Sequence, residues 1–152
     1  MSTKLEIDIQ FASPAIEVSI SNVASNSILK KWIKASTSKS GLITIRFVNT
    51  AEAKKMNAAY RNKDKPTNVL TFSYALDKAS LHADIILCLP VIQKEAKEQD
   101  KNIKSHLAHL LIHGCLHAQG YDHEIPKQAE KMEALEIRLL KGLGFANPYT
   151  PQ

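Results

Sequence analysis

The stretch His106–His123, HLAHLLIHGCLHAQGYDH, determines the centre of the predicted fold. It contains five of the six histidines of the chain, within a pattern of helical spacing that continues to Gly120. His109, His113 and His117 recur every fourth residue, so they lie along one side of that helix. Glycine tolerates the left-handed backbone that ends many helices, and the chain is therefore predicted to leave the helix at Gly120.

The spacing of these histidines predicts a site for one metal ion. His109 and His117 are separated by about 12 Å along a helix, whereas an ion bonds imidazole nitrogens at about 2 Å, so only one adjacent pair can chelate. The reversal at Gly120 returns His123 to the last helical turn, nearest to His117 and His113. The predicted ligands are therefore His113, His117 and His123, with His109 and His106 either supporting them or lying nearby as polar residues.

Zinc is the predicted ion. Three neutral imidazoles leave a fourth tetrahedral position for water, which is typical of catalytic zinc sites. Nickel or another divalent metal would also accept imidazole ligands. The two cysteines, Cys88 and Cys115, lack C-x-x-C spacing and stand among apolar residues, so both are predicted to be buried and not to bind the ion.

The segments around this helix predict an α+β fold. It consists of one mixed β-sheet of about four strands packed against helices, with the metal site in the C-terminal helical half and a single domain over residues 1–152. Strands are predicted at residues 5–11, 42–48, 68–72 and 84–89. Helices are predicted around residues 28–33, from a cap at Thr50 to residue 60, from residue 90 to 120 with a break at 100–102, and over residues 126–141.

Charge and hydropathy narrow the class of partner. The formal net charge is +5 and the sequence pI is about 9.2, which favours a polyanionic partner, although a solvated lysine-rich surface would have the same charge. No window approaches the roughly eighteen apolar residues of a membrane span, and the first residues lack the pattern of a signal peptide. We therefore expect a cytoplasmic protein without a membrane partner, and nothing in the pattern selects an oligomeric state.

Three segments of the sequence resemble the YbeY family of bacterial rRNA-maturation endoribonucleases. They are MNAAYRNKDKPTNVLTF (residues 56–72), HGCLHAQGYDH (residues 113–123) and EKMEALEIRLLKGLGFANPY (residues 130–149), in the family's order. The resemblance implies a zinc protein that cleaves single-stranded RNA, with ribosomal RNA and the small ribosomal subunit as partners in 3′-end maturation and ribosome quality control. It also implies that His113, His117 and His123 are the ligands and that Arg61 matches the family's important arginine.

Further roles are predicted for charged residues. Arg61 is a candidate clamp for phosphate, because guanidinium binds phosphate oxygens through two parallel hydrogen bonds; the alternative is a surface arginine at a helix end. Asp84 is the second catalytic candidate: it could cap a turn, orient a ligand histidine or assist water activation. Asp122 and Glu124 flank His123 and are either proton-transfer groups or exposed loop charges.

Two other functions compete with this interpretation. A metallopeptidase would need a general-base glutamate directly after the first ligand histidine, where this chain has Gly114. A non-catalytic ribosome assembly factor, stabilised by the metal, is compatible with the same charge and the same histidines.

Overall fold

The computed structural model describes residues 4–61, 67–122 and 124–150, with the side chains of residues 60 and 61 left out. Four strands form one mixed sheet, as predicted. They are β1 (Leu5–Phe11), β2 (Ser40–Val48), β3 (Val69–Leu76) and β4 (Ser80–Cys88). Their order is β1-β2-β4-β3; β2 is parallel to β1 and β4, whereas β3 is antiparallel to β4. Strand β3 therefore lies at an edge of the sheet.

Six helices accompany this sheet in the described residues. They are α1 (Pro14–Ser21), α2 (Asn26–Ala35), α3 (Thr50–Arg61), α4 (Leu89–Glu98), α5 (Ile103–Ala118) and α6 (Pro126–Gly142). The α+β class predicted from the sequence is confirmed. Among these helices, none has both the length and the apolar character needed to cross a membrane.

One helix was missed by the sequence prediction, and one predicted helix cap was wrong. Helix α1 was not predicted, although Ser13 caps it by accepting a hydrogen bond from the backbone N–H of Ile16 (3.2 Å) and Pro14 occupies its first position. Helix α3 begins at Thr50, but its cap is Asn49, whose side-chain oxygen accepts a hydrogen bond from the N–H of Glu52 (2.8 Å). In both cases the short polar residue just before the helix is the signal that was missed.

Helix α5 lies at the centre of the main core. It contacts the strands β3 and β4 and the helices α2, α4 and α6. Asn102 caps its start by accepting hydrogen bonds from the N–H groups of Lys104 and Ser105 (2.9 and 3.4 Å). It ends at Ala118, and Gly120 follows with φ +95°, so the predicted exit from the helix is confirmed.

Both cysteines are buried and free, as predicted. Cys115 faces the core from α5, and burial raises its pKa to about 12 against an opposing hydrogen bond with Ser36. Cys88 belongs to a second apolar cluster on the other face of the sheet, where Ala53 of α3 packs against Leu70 and Ile86. The sheet therefore carries helices on both faces, with α5 and its histidines on one of them.

Candidate metal centre

Helix α5 brings two of the predicted ligands together. His113 and His117 follow each other by one helical turn; their ring centroids are 6.3 Å apart and the ring planes differ by 21°. Both residues are partly exposed and line the same cleft. The third predicted ligand, His123, lies outside the described residues.

Each of these rings is held through its Nδ1 atom. Nδ1 of His113 donates a hydrogen bond to Oε2 of Glu136 (2.6 Å), and Nδ1 of His117 donates to the backbone carbonyl of Tyr121 (2.8 Å). An ionised carboxylate and a carbonyl only accept, so the proton of each neutral ring is on Nδ1. Nε2 is therefore the nitrogen with which either ring would bond an ion.

Glu136 connects the histidines to α6 and to the C-terminal segment. Its side chain is 0% exposed, and Oε1 accepts hydrogen bonds from Nε2 of His109 (3.1 Å) and from the hydroxyl of Tyr149. Burial alone would raise the pKa of Glu136, but the hydrogen bonds from His109, His113 and Tyr149 outweigh it and lower that pKa to about 2. The carboxylate is thus ionised within the core.

The same residues form a second possible ligand set. One ligand atom each from His109, His113 and Glu136 lie within 4.8 Å of one another, so this group could hold a metal ion. The sequence interpretation missed Glu136. Its signal was a carboxylate on the buried side of α6, one turn after Met132 and one turn before Leu140.

His106 is turned away from this centre. Its Nε2 contacts Oε1 of Glu95 on α4 (3.1 Å), and burial lowers the pKa of His106, with the Glu95 hydrogen bond opposing that shift. His109 is the histidine that supports a predicted ligand, through the carboxylate it shares with His113.

The cleft beside His113 and His117 has a volume of about 610 Å³. Residues 67–72, which include the beginning of the edge strand β3, form one wall, and Asp122 and Glu124 also line it. Asp122 and Glu124 therefore share a cleft with two of the predicted ligands.

The two predicted catalytic residues are placed differently. Asp84 precedes Ile85, which packs against α5 at Gly114, so alternation along β4 directs Asp84 to the opposite face of the sheet. There its carboxylate accepts a hydrogen bond from the Tyr74 hydroxyl (2.7 Å). The structure does not bring Asp84 together with His113 and His117. The backbone of Arg61 ends α3, and its side chain is outside the described part.

Gly114 is a point of close contact between α5 and the sheet. A Cβ atom added there would lie 2.8 Å from Cγ2 of Ile85 and 3.3 Å from Cγ2 of Val69. Even an alanine is crowded at this position, so it cannot hold the glutamate that a metallopeptidase of this spacing requires.

Comparisons with known proteins agree with one another. The family model described as "Endoribonuclease YbeY" matches residues 8–144. A protein of Polynucleobacter asymbioticus named endoribonuclease YbeY is 63% identical over 148 residues, covering 97% of this chain and 96% of that protein. One of Janthinobacterium sp. (strain Marseille) with the same name is 49% identical, covering 96% and 95% respectively.

The fold is shared with a solved structure. The solution structure of TM1509 from Thermotoga maritima superposes with a TM-score of 0.57 at 23% identity, covering 95% of this chain and 99% of that one. At this identity the match shows the fold alone, while the family model and the two relatives extend over nearly the whole sequence. This chain belongs to the endoribonuclease YbeY family.

Proposed function

We propose that this chain is a single-strand-specific, metal-dependent endoribonuclease whose zinc ion is held by His113, His117 and His123. The observation that carries the proposal is the anchoring of His113 and His117 through Nδ1 at the wall of one cleft. Such anchoring by a carboxylate and a backbone carbonyl is typical of histidines that bind metal through Nε2. The names of the relatives supply the reaction class.

The contacts and burial of Glu136 weigh against His109, His113 and Glu136 as the ligand set. Two ligands of one tetrahedral ion, each bonded at about 2 Å, are separated by about 3.3 Å. Nδ1 of His113 and Oε2 of Glu136 are only 2.6 Å apart, which is the distance of a direct charge-assisted hydrogen bond. Glu136 is also fully buried, so an ion bonded to it would be screened from a polymer substrate.

Charged residues of the chain would carry out the other steps of the reaction. Arg61 would bind the scissile phosphate through its guanidinium, and Asp122 or Glu124 would accept the proton released by the attacking oxygen. A bound zinc ion would polarise a phosphoryl oxygen and acidify water.

A catalytic role for Asp84 stays a prediction, although its carboxylate lies on the face of the sheet away from α5. Asp84→Asn tests it: slowed cleavage with unchanged metal content supports the role, and normal cleavage rejects it.

The proposed biological substrate is ribosomal RNA in the small subunit, within 3′-end maturation and ribosome quality control in the cytoplasm. The net charge of +5 supports a polyanionic substrate. Two buried cysteines that form no disulfide are typical of proteins in a reducing compartment. We propose that one domain over residues 1–152 has the whole activity.

Metal content and RNA cleavage, measured on the same preparations, test the proposal. Wild-type protein should carry about one zinc ion and cleave labelled single-stranded RNA faster than duplex RNA, whereas His117→Ala should lose most of the metal and the cleavage. His109→Ala is the matched control, two helical turns before His117 on α5, and it should keep most of the metal. Loss of metal in His109→Ala with retention in His117→Ala would assign the ion to the buried set instead. Ribosome binding without metal-dependent cleavage would favour the non-catalytic assembly factor.

A further inference from the structure

We infer that Glu136 is a positioning residue for the metal centre: it holds the His113 ring with Nε2 directed to the ion, while Tyr149 and His109 hold the Glu136 carboxylate. This inference rests on the proposed function, since it takes His113 as a ligand. It assigns to α6 and the C-terminal segment a task at a site whose ligands lie elsewhere in the chain.

The burial of Glu136 requires partners of this kind. A carboxylate without contact to water is strongly unfavourable unless hydrogen bonds compensate it. Met132 and Leu140, one turn before and after it on α6, fill the neighbouring core positions with apolar side chains. A leucine at 136 would continue this apolar side of α6 without that cost. The carboxylate is therefore better explained by the groups it contacts than by packing.

The two oxygens of Glu136 have different partners. Oε2 accepts the short hydrogen bond from Nδ1 of His113 (2.6 Å), whereas Oε1 accepts from Nε2 of His109 (3.1 Å) and from the Tyr149 hydroxyl. A carboxylate at Nδ1 fixes the tautomer and the ring orientation of a ligand histidine and increases the basicity of its Nε2. Nδ1 of His117 donates instead to the neutral carbonyl of Tyr121. Glu136 is thus a charged support for the His113 ring.

Tyr149 anchors the carboxylate from the C-terminal side. Its ring lies edge-on to His109, with centroids 5.3 Å apart and planes at 82°. The preceding residue, Pro148, accepts a hydrogen bond through its carbonyl from Nζ of Lys101 (3.0 Å), which ties the segment to the start of α5. The donors on Glu136 therefore come from both α5 and the segment after α6, and together they leave the carboxylate one orientation.

Zinc affinity, measured by competition with a chromogenic chelator, tests the inference on the full chain. Glu136→Gln keeps the shape of the side chain and removes its charge, so it should weaken zinc binding by about 10-fold to 100-fold. It should also change the absorption spectrum of the cobalt-substituted protein. Glu130→Gln, an exposed glutamate on the same helix, is the matched control and should leave both unchanged.

The melting temperature of the metal-free protein shows whether each Glu136 variant folds, and the zinc affinity of the folded variants then separates positioning from packing. If Glu136→Gln and Glu136→Leu bind zinc as tightly as the wild type, Glu136 is structural and the inference is overturned. If Glu136→Gln does not fold, Tyr149→Phe replaces it; a several-fold fall in zinc affinity supports the inference and an unchanged affinity overturns it. Because affinity is read without RNA, absence of RNA cleavage by the wild type would reject the proposed function separately.

Discussion

Gly114→Ala tests whether the contact between α5 and the sheet is as close as the structure has it. The added methyl group would lie 2.8 Å from Cγ2 of Ile85, a methyl on the branched carbon of a side chain that is 0% exposed, and 3.3 Å from Cγ2 of Val69. Neither methyl is the far end of a flexible chain. The substitution therefore has to move α5 away from β3 and β4 or force Ile85 from its rotamer.

The expected change in the free energy of unfolding for Gly114→Ala follows from two opposing effects. Alanine in place of glycine within a helix stabilises by about 1 kcal/mol, because glycine loses more backbone entropy on folding. Inserting a methyl group into a packed core costs about 1–3 kcal/mol, and two close contacts favour the upper half of that range. We expect a net loss of about 1–2 kcal/mol, which for a chain of this length lowers Tm by roughly 5 °C.

The assay is thermal and denaturant unfolding of the metal-free protein, followed by zinc titration. His113 is the neighbouring residue, so a displacement of α5 should also weaken metal binding. Gly142→Ala is the matched control, since a Cβ there meets no atom within 4 Å, and it should be neutral or slightly stabilising. If Gly114→Ala melts at or above the temperature of the wild type, the close packing inferred here is wrong.

The remaining predictions concern RNA and pH. Arg61→Ala should keep fold and metal yet cleave RNA at least about a hundredfold more slowly, and Arg61→Lys should restore only part of the rate; near-normal single-turnover cleavage by Arg61→Ala would exclude this residue. RNA affinity should fall steeply between low and physiological salt, and a constant Kd would contradict a charge-driven interface. Burial lowers the pKa of His106 from its usual 6.5, so below that pH the unfolded chain takes up a proton that the folded chain binds less readily. The free energy of unfolding of the metal-free protein should therefore decrease as pH falls from 6.5 towards the lowered pKa. His106→Gln should show a shallower decrease, and equal slopes would refute this reasoning.

Local patterns predicted the parts of the structure that depend on neighbouring residues. The helical period set His113 and His117 one turn apart on the same side of α5, and Gly120 marked its end. Alternation predicted β1 and β2, and short apolar runs predicted β3 and β4, although β3 and β4 extend beyond those runs into the exposed hairpin between them. These features follow from the 3.6-residue and 2-residue repeats, which the sequence displays directly.

Tertiary structure decided which distant residues meet. Glu136 contacts His113 across 23 residues, and Tyr149 joins the same carboxylate across another 13, because the packing of α6 on α5 brings them together. Packing also decided that Asp84 lies on the face of the sheet away from α5, because α5 packs on the side of β4 to which Ile85 points. The sequence alone thus determined the element types and the spacing of two proposed ligands. The support of those ligands depended on contacts between helices, whose geometry no local repeat contains.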